Sequence, residues 1–435
     1  MLRPGFGKPQ AARDKNNPQN AAVLVSLGRL SPLMKRPTRA ITRFILILLL
    51  IEFLDELIYG VREAAWPLLR ADLHLSYFEI GLLISIPGIT SNIIEPVIGI
   101  LADTWKRRVI ILGGGCVYVF SCVLAAASGS FWPLLAAYVL SFPASGAYVS
   151  LSQAVLMDLE PGRHEQNMAR WTLSGSLAVV LGPLLVGGAA LMGWGWRPPF
   201  WGVAAVGLVV LLISWYAYTK GPGAELFARP PQHENVLASL RAGIRSAWAA
   251  LKRGEVLRWL VLLEFSDLML DVLYSYLALY LVDVVHLDPA AAGLGVAVWT
   301  GVGLLGDFLL IPLLEKVPGL AYLRVSALLE LILFPAFLLL PGLPLKLAAL
   351  GLLGFFNSGW YSILQGRLYS AMPGQSGMVT TVGNVVGVVK PIIPFSIGLA
   401  AQAFGLGTAI WLLILGPVAL LVGLPRETGR SQPQA

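Results

Sequence analysis

A chain of 435 residues that is 57% hydrophobic and 13% charged, with a mean hydropathy of +0.74, cannot hide its apolar surface in an aqueous core; a soluble domain carries roughly a quarter charged residues. The net charge of +7 does not mark a nucleic-acid binder, because the basic residues are spread over many loops and form no aromatic-rich patch. Cys116 and Cys122, the two cysteines, fall in one predicted helix and point in different directions, so neither a disulfide nor a metal site is expected.

Residues 1–40, with Pro4, Pro9, Asn16, Asn17 and Pro18, read as a disordered N-terminal segment without a short apolar stretch and small-residue cleavage site. Twelve apolar stretches follow: 44–69, 77–101, 109–128, 131–157, 168–192, 198–219, 256–283, 290–314, 321–340, 345–371, 376–402 and 405–424. Each approaches the ~20 residues that cross a hydrocarbon layer about 30 Å thick, and none shows the ten-residue alternation of barrel strands. The expected fold class is an all-α membrane protein with twelve transmembrane helices in two six-helix bundles, 41–219 and 256–425, joined by a linker at 220–255 and followed by a tail at 426–435. In the linker, Leu237, Leu240, Ile244, Ala247, Trp248 and Leu251 recur at helical spacing between Arg241, Arg245, Lys252 and Arg253, predicting an amphipathic helix on the membrane face.

The first helix carries Glu52, Asp55, Glu56, Tyr59, Arg62 and Glu63 at i, i+3, i+4, i+7, i+10 and i+11, an arc of about 120°. The seventh carries Glu264, Asp267, Asp271 and Tyr274 on an arc of about 80°. A charge at mid-membrane costs at least about 2.5–3.5 kcal/mol, so such residues face a watery cavity or each other. Softer cavity candidates are Ser141, Ser145 and Tyr148 on helix four, Asn357, Tyr361 and Gln365 on helix ten, and Lys390 on helix eleven. Lys390 either neutralises an acid of helix one or seven or binds an anionic group. Within the helices, away from the cytoplasmic ends, ten carboxylates (Glu52, Asp55, Glu56, Glu63, Glu95, Glu264, Asp267, Asp271, Asp307, Glu330) stand against Arg62 and Lys390. Either some carboxyls hold protons or a cation occupies the site, and both answers are transport mechanisms. Asp55 and Asp267 are expected to form a coupling centre across the interface of the halves.

Sliding the chain by 212 residues without a gap superposes Glu52 on Glu264, Phe53 on Phe265, Asp55 on Asp267, His74 on His286, Gln153 on Gln365 and Gly175 on Gly387. Acids inside apolar runs recur with the turn residues, as in a duplicated transporter whose path lies between pseudo-symmetric halves. With both termini cytoplasmic, the inner segments hold 25 Lys plus Arg and the outer loops three, Arg70, Arg197 and Lys346. That bias orients the chain.

The loop between helices two and three reads Gly99-Ile100-Leu101-Ala102-Asp103-Thr104-Trp105-Lys106-Arg107-Arg108. It resembles the signature loop of the major facilitator superfamily, with Lys106 in place of the usual inner glycine. The resemblance covers residues from about 40 to 425 and implies a cytoplasmic charge latch of Gly99, Asp103, Arg107 and Arg108, with Asp158 as partner. Gly182-Pro183 followed by Gly187-Gly188 resembles the fifth-helix signature of drug/proton antiporters, with one residue too many between Pro183 and the glycine pair; the fourth helix lacks the arginine of that branch. No phosphate loop, His-Glu-x-x-His motif or Cys/His cluster argues for an enzyme or a cofactor. The expectation is a secondary transporter of the cytoplasmic membrane, working as a monomer and exporting a lipophilic or cationic small molecule against protons. The alternatives are a proton- or sodium-coupled importer of a small polar metabolite and a non-transporting membrane receptor. The expected partners are a small-molecule substrate, protons or sodium ions, and membrane lipids, without nucleic acid.

Overall fold

Apolar segments that cannot leave backbone groups unpaired in hydrocarbon must close their hydrogen bonds internally, which favours helices. The computed structural model describes residues 39–104, 106–159, 164–220, 241, 245, 248–372, 382–383, 385–388 and 390–425, and no strand occurs among them. Nearly all of the predicted segment 1–40, most of the linker 220–255 and the tail 426–435 lie outside the described residues. The first bundle comprises α1 (Arg39–Leu73), α2 (Tyr77–Thr104), α3 (Arg107–Ala127), α4 (Phe131–Leu159), α5 (His164–Leu191) and α6 (Arg197–Thr219). The second comprises α7 (254–283), α8 (Pro289–Leu314), α9 (Gly319–Leu339), α10 (Leu343–Ala371), α11 (Val385–Phe404) and α12 (Leu406–Gly423). Ten of these are long and apolar enough to cross a membrane by length and composition. The remaining two, α1 and α7, are the helices that carry the clustered acids.

In the first bundle α1 lies along α5 and α6, α3 along α4 and α6, and α2 against α4; in the second, α9 lies along α10 and α12, and α8 along α10. The bundles meet where α5 runs against α8, α2 against α11, and α1 against the end of α7. Small residues set the closest approaches. A Cβ on Gly182 of α5 would lie 2.5 Å from the carbonyl carbon of Gly60 in α1. Both neighbours there are backbone, which cannot swing aside. Gly182→Ala is therefore expected to destabilise the protein by about 1–3 kcal/mol, the usual cost of overpacking, and to unfold at lower temperature in a detergent melt. An unchanged melting temperature would show that the two helices can part freely.

The duplication is visible in the backbone. His74 and His286 are repeat mates, and they are the non-glycine described residues with positive φ, at 53° and 63°. Each follows the first helix of its bundle, so the two halves make the same left-handed turn. At this end of the molecule Arg197 bonds Asp72 at 2.6 Å, tying α6 to α1. The Arg197 guanidinium, helped by the Trp196 N–H, holds the Asp72 carboxyl below its usual range. Both side chains are substantially exposed, so the pair contributes little to stability.

Candidate functional site

The acidic face of α1 is turned into its own bundle. Asp55 accepts hydrogen bonds from the Tyr118 hydroxyl at 2.5 Å and from the Ser145 hydroxyl at 2.9 Å. Ser145 stands at the entry of a π-helical turn, Gly146–Ser150, that interrupts α4. Such wide turns are frequent at functional sites. Glu95 of α2 packs on that turn: a Cβ on Gly146 would lie 2.7 Å from the Glu95 Cγ, and Ser91 bonds the Glu95 carboxylate at 2.5 Å. Glu52 and Glu56 lie over Gly175 of α5, where a Cβ would approach to 2.9 Å from Glu52 Oε1 and 3.0 Å from Glu56 Cγ. Glu52 is 8% exposed. Four carboxyl groups thus crowd the space among α1, α2, α4 and α5.

Arg62, expected as a cavity cation, is committed elsewhere. Its guanidinium holds Glu63 at 2.7 Å and lies within 6 Å of the rings of Tyr59, Tyr138 and Phe142, at 5.0, 5.7 and 4.9 Å. Trp66 donates to the other Glu63 oxygen at 2.8 Å. Arg62 is thus paired with Glu63 and offsets only part of the charge of the four acids, reaching Asp55 and Glu56. A small cavity beside Arg62, Tyr138 and Ser141 has room for water.

The second bundle solves the same problem differently. Asp267 immediately precedes, and Asp271 lies within, another π-helical turn, Leu268–Val272, which separates Gly254–Ser266 from Leu273–Asp283 within α7. The arc drawn from regular helical spacing fails across this turn. The Asp267 side chain is 11% exposed and that of Asp271 58%. Lys390 spans both, at 2.9 Å from Asp267 and 3.6 Å from Asp271. Lys390 thus pairs with acids of α7.

Where α1 meets α7, the Tyr59 hydroxyl donates to Asp271 at 3.4 Å, and the Tyr59 and Tyr274 rings meet edge to face at 5.2 Å. Tyr59 and Asp271 are themselves repeat mates. Mates can touch only near the pseudo-twofold axis, so this contact marks the centre of the molecule. Asp55 and Asp267, expected to form a coupling centre across the interface of the halves, are held by different partners. Asp55 satisfies its hydrogen bonds inside the first bundle and Asp267 inside the second; Tyr59, Asp271 and Tyr274 are the residues that meet between them.

The remaining predicted residues divide. Tyr361 is 59% exposed, close enough to Lys390 and Asp271 to feel their charges. Asn357 is buried and donates to the Met269 carbonyl at 3.0 Å, which is a packing bond between α10 and α7. Gln365 and Glu56 are partly buried, and Glu264 has one carboxylate oxygen enclosed without a partner. In the signature loop, Gly99 has open space around it, and the Asp103 side chain lies outside the described residues. Arg107 bonds Asp158 at 2.9 Å, with Arg108 beside it in sequence and partly buried. That pair joins α3 to α4 within one bundle. Sequence reasoning passed over Tyr118, a neutral ring among apolar neighbours, and Asp283, which lies at a helix end.

Further contacts knit the bundles at the end away from the signature loop. Arg70 of α1 pairs with Asp283 of α7 at 3.0 Å, and Tyr77 of α2 donates to the same carboxylate at 2.8 Å. A Cβ on Gly398 of α11 would meet Gly81 Cα of α2 at 2.9 Å, and one on Gly293 of α8 would meet Gly187 Cα of α5 at 3.0 Å. Nearer mid-height, Asn92 of α2 donates to the Gly387 carbonyl of α11 at 2.8 Å.

The model of the Major Facilitator Superfamily matches residues 45–393. The chain belongs to this superfamily. It is 27% identical over 194 residues to the fosmidomycin resistance protein of Escherichia coli (strain K12), a match covering 42% of this chain and 48% of that one. It is 26% identical over 378 residues to a chloramphenicol resistance protein of Streptomyces lividans, covering 83% of this chain and 90% of that one. Among solved structures, a bacterial homolog to human lysosomal transporter Spinster, in an inward-facing and unoccupied conformation, superposes with a TM-score of 0.67 at 19% identity, covering 89% of this chain and 95% of that one. The chain spans about half of the first of these curated relatives and nearly all of the second. As a superfamily member it is a multi-pass membrane transporter and not an enzyme.

Proposed function

We propose that this transporter exports a lipophilic or cationic small molecule across the cytoplasmic membrane in exchange for protons, as a monomer with both termini in the cytoplasm. The relatives named for fosmidomycin and chloramphenicol resistance support the direction, and the 25-to-3 bias of basic residues supports the orientation. One observation carries the coupling. Glu52, Asp55, Glu56 and Glu95 share a region of the first bundle, and Arg62, whose charge reaches Asp55 and Glu56, is itself paired with Glu63. Four like charges cannot coexist there, so protons or a bound cation must balance them. Their number therefore changes when the cavity exchanges one aqueous phase for the other. In this reading Arg70–Asp283 and the glycine contacts hold the extracytoplasmic end shut, and the cavity opens toward the cytoplasm.

The test is made in proteoliposomes offered tetraphenylphosphonium. An acid-inside pH gradient is expected to drive uptake severalfold above that without a gradient, because protons leave as the cation enters. Uptake driven instead by an acid-outside or sodium-outside gradient would make the protein a symporter. Vesicles that move nothing under any gradient would remove the proposal.

A further inference from the structure

Lys390 lies where α11 is interrupted, between the helical residues 385–387 and the segment Ile392–Phe404. Its ammonium stands between two carboxylates, and a third, Glu264, lies close enough to feel it. One fixed cation stands among three acids. Protein does not enclose the group: the Lys390 side chain is 39% exposed and that of Asp271 58%. Aromatic rings stand around it, with Tyr59 bonded to Asp271 and Tyr361 exposed within reach of Lys390. Tyr274, 3% exposed, packs on Tyr59 with a hydroxyl that has no partner, close to Asp271 and Glu56.

We propose that Lys390 is a tethered stand-in for the substrate: its ammonium occupies the seat, between Asp267 and Asp271, that the charged group of an organic cation takes over during transport. The inference rests on the export of a cationic compound proposed above and names the seat and the residue that competes for it. A lysine fits this role physically. It is a point charge on a flexible stem, and here the stem is rooted beside a helix interruption, so the ammonium can withdraw without carrying a helix with it. The incoming cation then meets Asp271 at the exposed edge of the pair, with the exposed Tyr361 nearby to receive its apolar body. An anionic substrate would meet three carboxylates around the same lysine.

The competition is read directly by equilibrium binding of tetraphenylphosphonium to the purified full-length protein at neutral pH. Lys390→Met frees both carboxylates and is expected to tighten binding about tenfold, equivalent to about 1.4 kcal/mol. Asp271→Asn should weaken it by a similar factor. Lys390→Arg, whose planar fork holds carboxylates more firmly, should bind severalfold more weakly than the parent, and it decides the matter if Lys390→Met does not fold. Binding by folded Lys390→Met equal to or weaker than the parent, or binding by Lys390→Arg equal to or tighter, overturns the inference. If the parent is still driven by the pH gradient in that case, only the role of Lys390 falls. If the parent neither binds nor moves the cation, the proposed export of cations falls with it.

Discussion

Asp55→Asn is expected to reduce gradient-driven transport to background while leaving a protein that folds, binds its substrate and exchanges it down a concentration gradient. The expectation follows from what holds Asp55. Its oxygens accept from Tyr118 and Ser145, and an amide oxygen accepts from the same hydroxyls, so the local bonding survives the substitution. What the amide cannot do is gain and release a proton. Loss of a neutral hydrogen bond costs only about 0.5–1.5 kcal/mol, and even one weakened bond leaves the fold intact. Asp267→Asn differs in kind, because it removes the nearer partner of Lys390 and leaves the ammonium on Asp271, which now stands 3.6 Å away. Breaking an enclosed ion pair costs about 3–5 kcal/mol; with Lys390 partly exposed and Asp271 at hand the loss should be smaller but measurable as a lower melting temperature. The two variants are compared in proteoliposomes with and without an imposed pH gradient. Gradient-driven transport at the parent's rate by folded Asp55→Asn would eliminate Asp55 as a coupling residue.

Much of this was legible in the residues because a hydrocarbon solvent leaves few variables. Length and apolarity mark ten of the spans, the six-plus-six repeat supplies α1 and α7, and a carboxylate inside an apolar run is costly enough to stand out. The repeat register gave the equivalence of His74 and His286, whose left-handed turns follow from it. The orientation of the acids was not legible. Regular spacing of 100° per residue places Glu264, Asp267, Asp271 and Tyr274 on one arc, but the π-helical turn at Leu268–Val272 shifts Asp271 and Tyr274 relative to Asp267, and the one at Gly146–Ser150 sets where Ser145 meets Asp55. These turns depend on packing between helices, such as Glu95 over Gly146, which no local pattern announces. The pairing of Arg62 with Glu63 was hidden for a related reason: adjacent residues diverge around a helix, and only the length of the arginine stem brings its fork back to its neighbour. Lys390 was ambiguous because its partners come from a helix distant in sequence.

Locking the end of the molecule away from the signature loop should stop transport altogether. Arg70 and Asp283 reach across from α1 to α7, and Tyr77 of α2 joins them on the same carboxylate. The Arg70 guanidinium also lies 4.4 Å from the centre of the Tyr77 ring. These groups are partly exposed, so their mutual attraction amounts to roughly 1 kcal/mol or less for the ion pair and about as much for the ring contact. That is enough to bias an equilibrium between two states but not to forbid the second, which is what a gate that opens in each cycle requires. A covalent bridge removes the choice. Arg70→Cys with Asp283→Cys, in a chain carrying Cys116→Ser and Cys122→Ser, is joined by a short thiol-cleavable bifunctional reagent in proteoliposomes. Transport is expected to fall to background on cross-linking and to return after reduction, while each single cysteine variant treated the same way stays active. Because the bridge leaves the acids of α1 and α7 untouched, the loss would report motion between the bundles and not damage to the coupling site. Undiminished transport with the bridge in place would mean that this end does not open, and that the path through the bundles has to be drawn elsewhere.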